Sequence, residues 1–307
     1  MTTDVLIVTA LGLEFSAVRK FITDTSNVQH PESNSQYVIG KFGSLKIALI
    51  ETGACNVKSS HETDRAILYF NPKYVFFVGI AGGIKDVSIR DLVIANKVIG
   101  YEIGKATETF KPRFDSVPSS YLLEQLAKKV ARSKPISFTR VFIAPIAAGD
   151  KVIASTKTEI YDHLVKYCSD ALAVEMEGIG FMEAARPYQV EAIVVRGISD
   201  LLNNKEITDG EGDQEIAAVN AASFTFEMLS ELSPDQVLNI EDPDHRKILV
   251  DKLNVLYPKG PETDDIWKHA GGDVSIWSNE QSRKSQWFTA IDKLSKGGEG
   301  EISQSQV

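Results

Sequence analysis

Strands alternating with helices over residues 1–232 predict an α/β domain built on a mixed, largely parallel central sheet. Three observations carry that reading. DVLIVTA (Asp4–Ala10), PKYVFFVGI (Pro72–Ile80) and EAIVVRGIS (Glu191–Ser199) are short β-branched apolar runs, as expected of strands covered on both faces. SYLLEQLAKKVARS carries apolar residues at three- and four-residue spacing, the stripe of a helix packed on a sheet. YVIGKF and LKIALIET, divided by Gly43-Ser44, read as a hairpin, which makes the sheet mixed.

Taken in order, the first strand passes through Leu11 and Gly12 into the helix LEFSAVRKFI. The hairpin follows, then a helix within GACNVKSSHETDRAILYF. PKYVFFVGIAGGI is a buried strand entering a glycine-rich turn. RDLVIANKVIGYEIG is a longer strand, followed by an irregular, partly basic loop, KATETFKPRFDSVPSS. After SYLLEQLAKKVARS come the strand-rich FTRVFIAPIAAGDKVIAS and the helix TKTEIYDHLVKYC. ALAVEMEG changes from strand to helical spacing. EAIVVRGISD, a polar loop and the helix EIAAVNAASFTFEMLSEL complete the domain. Residues 233–244, acidic and containing two prolines, suit a linker. Residues 245–307 no longer alternate. They read as a small helical module with proline and glycine stops, and all three tryptophans, Trp267, Trp277 and Trp287, fall there as candidates for its core.

Composition narrows the function classes. A net charge of -9 argues against a nonspecific nucleic-acid binder or a protein that docks on anionic membranes. No apolar run reaches the roughly 18 residues of a membrane-spanning helix, and MTTDVLIVTALGLEF lacks the basic start of a secretory signal. Two lone cysteines and five scattered histidines give neither a disulfide framework nor a zinc pattern. The expectation is a cytoplasmic protein without metal or other cofactor.

The candidate site is organised around ALAVEMEGIGFMEAA (Ala171–Ala185), where Glu175 and Glu177 stand at the end of an apolar strand. Residues two apart share a face while the strand lasts, and carboxylates there are costly to desolvate. They are either solvated at an edge or engaged in a cleft. Asp200 ends the next strand, Glu14 follows the first, and Gly79 to Gly83 follow another. Ligands of open α/β sheets bind at such strand ends, so three acids and a glycine turn there predict a carboxylate-rich pocket. Magnesium is the competing use of three carboxylates.

FVGIAGGI with RDLVIA, then AVEMEGIG, then VVRGISD, resembles the purine nucleoside phosphorylase/uridine phosphorylase superfamily, and more closely its hydrolytic methylthioadenosine/S-adenosylhomocysteine nucleosidase branch. The resemblance covers residues 4 to 232. It implies a three-layer αβα fold, cleavage of the N-glycosidic bond of a purine nucleoside, and a homo-oligomer. By motif position it implies that Asp200 protonates the purine and that Glu14 activates the attacking water. Glu177 would accept hydrogen bonds from the ribose hydroxyls, with Met176 packed on the sugar. Gly79, Ala81 and Gly82 would offer backbone to the ligand, and Ile153 and Val152 would flank the base. The chemistry is coherent: a purine leaves once protonated, and a carboxylate polarises the sugar as it becomes oxocarbenium-like.

Departures from the pattern refine this. The phosphorolytic members carry a basic residue in the first loop and an arginine before the second glycine turn. Here those places read TALGLEF and FFVGIAGG, so water is the expected nucleophile. Ile80 stands where the nucleosidases carry serine, and Val152 where they carry a stacking phenylalanine. Lys105, Lys111, Arg113 and Lys151 are either solvated surface or receivers of a 5′-phosphate, which favours ATP or another adenine nucleotide as substrate. LYPKGPETDDIWKHAGGDVSIW with QWFTAIDKLSKGG resembles the effector-associated adaptor domains of bacterial conflict systems. This implies a partner protein with a matching domain and a role in antiphage defence by nucleotide depletion. A phosphorolytic enzyme and a non-catalytic nucleotide-sensing or scaffold protein remain the alternatives.

Overall fold

The computed structural model of the chain describes residues 1–108, 110–133, 139–153, 155–202, 211–232, 246–247, 249–250, 253–254, 259–261 and 282–295. Two compact units divide it, Met1–Ser233 and Pro234–Val307.

The first unit opens with β1 (Val5–Thr9) and α1 (Gly12–Arg19), then β2 (Thr23–Gln29), β3 (Gln36–Phe42) and β4 (Leu45–Glu51). Next come α2 (Asn56–Phe70), β5 (Tyr74–Gly83), β6 (Leu92–Gly100), β7 (Gly104–Ala106), β8 (Phe110–Pro112) and β9 (Asp115–Pro118). The rest is α3 (Tyr121–Ser133), β10 (Val141–Ala148), α4 (Glu159–Tyr167), β11 (Ala173–Glu175), α5 (Gly178–Ala185), β12 (Glu191–Leu201) and α6 (Glu211–Leu232). The hairpin forms as expected: β3 pairs antiparallel with β4 around Gly43, whose φ of 57° is the left-handed conformation such a turn requires. The polar edge strand β2 has no apolar signal to announce it, because TDTSNVQ exposes most of its residues. The loop expected after Gly104 holds the small two-stranded sheet β7–β8 as well as β9, which pairs with β6.

The main sheet runs β11-β10-β6-β12-β5-β1-β4-β3-β2 and is mixed. β1, β4, β5 and β12 are parallel, whereas β6 runs antiparallel to β12 and β10 and β11 follow β6. β11 also pairs antiparallel with β5, through Ala173–Gly83 and Val174–Gly82, and so closes β11, β10, β6, β12 and β5 into a ring.

Strand alternation divides the core between two helical layers. Leu6 and Val8 face Ala66, Ile67 and Phe70 of α2 and Phe181 and Met182 of α5. Val5 and Ile7 face Ala17 and Val18 of α1, Leu123 and Ala127 of α3, and Ala221 and Phe224 of α6. This is the three-layer αβα arrangement.

In the second unit α7 (Arg283–Ser295) buries Trp287, Ala290 and Ile291, and Arg246 Nη1 lies 2.7 Å from Asp292 Oδ1. Trp287 is thus a core residue. Trp267 and Trp277, and the linker expected at 233–244, lie outside the described residues.

β12 and α6 approach each other closely at Gly197. A Cβ on Gly197 would stand 2.1 Å from the Ala217 carbonyl oxygen of α6. Backbone cannot move aside cheaply, so Gly197→Ala is expected to lower stability by about 1–3 kcal/mol, the usual range for an overpacked core. Urea unfolding measures it, and an unchanged midpoint would contradict this packing.

Candidate active site

A buried guanidinium stands behind the site. Arg196, midway along β12, is fully buried. Its Nη2 lies 2.5 Å from Glu175 Oε2 and 3.7 Å from Glu177 Oε2, its Nη1 lies 3.8 Å from Glu14 Oε1, and its plane covers the Phe77 ring at 4.1 Å. Burial works against its charge, but the three carboxylates outweigh burial and hold its pKa above the usual value. The cation between these glutamates is therefore a side chain.

Each carboxylate is aimed by backbone donors. Glu14, in the first turn of α1, accepts the N–H groups of Ala10 (2.8 Å) and Leu11 (3.0 Å) on Oε2 and that of Ile80 (2.8 Å) on Oε1. Burial pushes its pKa up against the lowering effect of Arg196 and these amides. Glu175 accepts the Glu177 and Gly178 N–H groups where α5 begins. Glu177, at the N-cap of α5, accepts the Cys55 N–H at 3.1 Å. Burial, then the neighbouring Glu175 carboxylate, push Glu177 up to about 7.

Asp200 is reached through a β-bulge. The β12–β5 register shifts between Ile198 and Asp200, so Ser199 is the extra residue and the following side chain is re-aimed. Ser199 Oγ donates to Asp200 Oδ1 at 2.7 Å.

A cavity of about 320 Å³ brings together Glu14, Met176, Glu177 and Asp200, with Ala81, Gly82, Ile153, Val152 and Lys151 of the expected set. Leu11, Ala54, Ile80, Val174, Leu202 and Gln214 add to its walls. Val152 is 62% exposed. Lys151 is ion-paired with Glu102 at the mouth.

Three expected residues are placed elsewhere, and two expected features are reshaped. Gly79 does not line the cavity among the described residues: its Cβ would fall 2.0 Å from Arg196 Nη1 and 2.3 Å from Glu14 Oε1. Its missing side chain makes room for the charge cluster. Lys105 and Arg113 do not line the cavity either, because Lys105 belongs to the separate β7–β8 sheet, facing Lys111 across it, and Arg113 follows β8 directly. The expected turn Gly79–Gly83 is strand, kept in register by β12 and β11. Glu177 also does not follow a strand parallel to the others, because β11 runs against β5 and delivers Glu177 from the opposite direction.

Reading the sequence for site residues misses Arg196, although an arginine inside EAIVVRGIS is a charge in a buried strand and must find partners. Spacing pairs Glu175 with Glu177, but that its carboxylate turns back to accept the Gly178 N–H at the start of α5 is hinted at only by the glycine three residues on. A Cβ at Gly178 would meet Glu175 Oε1 at 2.5 Å.

Among the described residues, no group of three or more His, Cys, Asp or Glu side chains is placed to hold a metal ion, and no helix is long and apolar enough to cross a membrane. Residues 4–230 match the family described as the Phosphorylase superfamily. The 5′-methylthioadenosine/S-adenosylhomocysteine nucleosidase of Desulfotalea psychrophila is 26% identical over 213 residues, covering 64% of this chain and 85% of that protein. The nucleosidase of the same name from Staphylococcus haemolyticus is 25% identical, covering 74% and 99%. Among solved structures, futalosine hydrolase of Helicobacter pylori superposes with a TM-score of 0.65 at 25% identity, covering 75% of this chain and 99% of that one. A nucleosidase of Colwellia psychrerythraea in complex with adenine superposes with a TM-score of 0.66 at 22% identity, covering 76% and 96%. With its mixed sheet, its two helical layers and the match across residues 4–230, the chain belongs to the phosphorylase superfamily.

Proposed function

We propose that the chain is an N-glycosyl hydrolase that releases the base of a purine nucleoside or nucleotide, with water as nucleophile. The observation that carries this is the convergence of Glu14, Glu177 and Asp200 on one cavity. Asp200 gives its proton to the departing purine, so the base leaves neutral. Glu177 accepts hydrogen bonds from the ribose hydroxyls and favours the cationic sugar. Glu14, with its carboxylate held by three amides, orients water and takes its proton. Each carboxylate oxygen has two acceptor sites, and Oε1 spends one on Ile80.

The charge balance supports water over phosphate. The buried cation behind the cavity is already shared among three glutamates, so a phosphate dianion would meet net negative charge. Nucleosidases and a futalosine hydrolase among the similar proteins agree with the hydrolytic reading.

The finer substrate reading is a 5′-phosphorylated adenine nucleotide, ATP foremost. It rests on Lys151, the cation among the described cavity-lining residues, which would exchange Glu102 for a phosphate oxygen. The second unit is read as an adaptor that binds a like helical domain on a partner protein and brings nucleotide cleavage under control in antiphage defence. Its support is the Trp- and Gly-centred sequence pattern around a buried Trp287.

Incubation with adenosine, methylthioadenosine, AMP and ATP in phosphate-free buffer, followed by chromatography for free base, tests the activity. Asp200→Asn is expected to reduce base release by about 10²–10⁴-fold, the usual worth of a general acid, with the unfolding midpoint retained. Undiminished turnover would remove Asp200 from the role. Lys151→Glu is expected to lower kcat/KM for ATP at least about tenfold more than for adenosine, since it removes a charge-assisted contact to phosphate. Equal losses would assign the enzyme to nucleosides. Removing residues 234–307 is expected to leave base release in place and to end capture of a partner bearing a like helical domain. Undiminished capture would show that the second unit is not the adaptor.

A further inference from the structure

One polar contact near the site joins loops from different parts of the chain without touching the cavity's reacting side chains. Asp150, in the loop after β10, is exposed and does not line the cavity among the described residues. Its Oδ1 accepts both the backbone N–H of Asn56 (3.0 Å) and the Asn56 side-chain amide (2.9 Å). Its own N–H donates to Glu102 Oε2 at 2.7 Å, which fixes the loop that continues into Lys151, Val152 and Ile153. Asn56 is gripped from the other side as well. Its Oδ1 accepts the Gly180 N–H at 3.0 Å, and a Cβ on Gly180 would meet the Asn56 carbonyl oxygen at 2.1 Å.

The residue before Asn56 shows what this grip holds in place. Cys55 has φ 97° and ψ 151°, a conformation that residues with a Cβ rarely adopt and that persists only where the surroundings impose it. In that conformation its N–H points to Glu177 Oε1 at 3.1 Å. The chain runs from the base-side loop through Asp150 to Asn56, through one peptide to Cys55, and so to the carboxylate assigned to the sugar.

We propose that Asp150 is a positioning residue: by holding Asn56 it keeps the Cys55 N–H on Glu177 and so sets the sugar-facing carboxylate from the base-facing loop. The inference rests on the nucleosidase reading for what Glu177 touches, but not for the clamp itself. The alternative is that Asp150 serves only as a cap for α2, whose first residue is Asn56. A cap would affect stability and every substrate alike. A clamp acting through Glu177 affects substrates according to their hydroxyls.

Two measurements on the full chain separate these. In hydrogen exchange, Asp150→Ala is expected to speed exchange of the Cys55 and Asn56 amides at least about tenfold, and Asp150→Asn, which keeps an acceptor oxygen, to leave them protected. In turnover, Asp150→Ala is expected to lower kcat/KM about tenfold for adenosine but less than about threefold for 2′-deoxyadenosine, which offers Glu177 one hydroxyl fewer. ATP and dATP replace these if the nucleotide is the substrate. Asp150→Asn recovers most of the loss. Cys55→Gly, which relaxes the strained position while keeping its N–H, is expected to shrink the Asp150→Ala defect when the two are combined. Unchanged amide exchange overturns the clamp. Faster exchange with equal losses on the ribo and deoxy substrates overturns the link to Glu177 and leaves a helix cap. If no purine substrate is cleaved by the unmodified chain, the nucleosidase reading fails, and amide exchange alone decides the clamp.

Discussion

The placing of Arg196 among Glu14, Glu175 and Glu177 is the constraint on which the rest of the site depends. Four ionisable groups have been taken out of water together, and none of them is tolerable there alone. The guanidinium lies on the Phe77 ring, in a strand that must stay apolar on either side. Gly79 must lack a side chain for the cluster to fit, and Gly178 must lack one for Glu175 to turn back onto the start of α5. Two glycines that read in sequence as loop or motif residues are thus steric consequences of one buried ion network. Burial is the main reason that Glu14 and Glu177 hold their protons more tightly than carboxyls in water, and at Glu177 the neighbouring Glu175 carboxylate adds to it.

That arrangement divides the labour of the carboxylates. Glu175 is spent on structure: its two oxygens serve the Glu177 and Gly178 amides and the guanidinium. Glu14 and Glu177 share Arg196 at longer range, 3.8 and 3.7 Å, and keep acceptor capacity toward the cavity. Asp200 is not one of the carboxylates grouped around Arg196 in this cluster. It is aimed by a bulge and takes a hydrogen bond from a serine hydroxyl.

Much of this was legible in the sequence, for identifiable reasons. The buried strands announced themselves as β-branched runs, and the hairpin through Gly43-Ser44, because those signals are local. Glu14, Glu177 and Asp200 were legible as acids at the ends of apolar strands, where burial makes a carboxylate conspicuous. The edge strand β2 was not, since its partner supplies its order and its side chains are polar. The direction of β11 was not, because three residues carry no signal of parallel or antiparallel pairing. The places of Lys105 and Arg113 are not legible either, because a basic loop says nothing of which way it folds. Arg196 is marked in the sequence only by being a charge in an apolar run, which calls for partners without naming them.

The closure of β11 onto β5 has a bearing on how the protein is made. Glu14 bonds to a residue 66 positions away, and Glu177 to one 122 positions away. The site therefore draws on nearly the whole length of the first unit. Contacts of such long range form late, after the loops between them have been closed. The site is therefore incomplete until β11 and β12 have joined the sheet. Such an order of events would keep any activity of this site from preceding the finished fold.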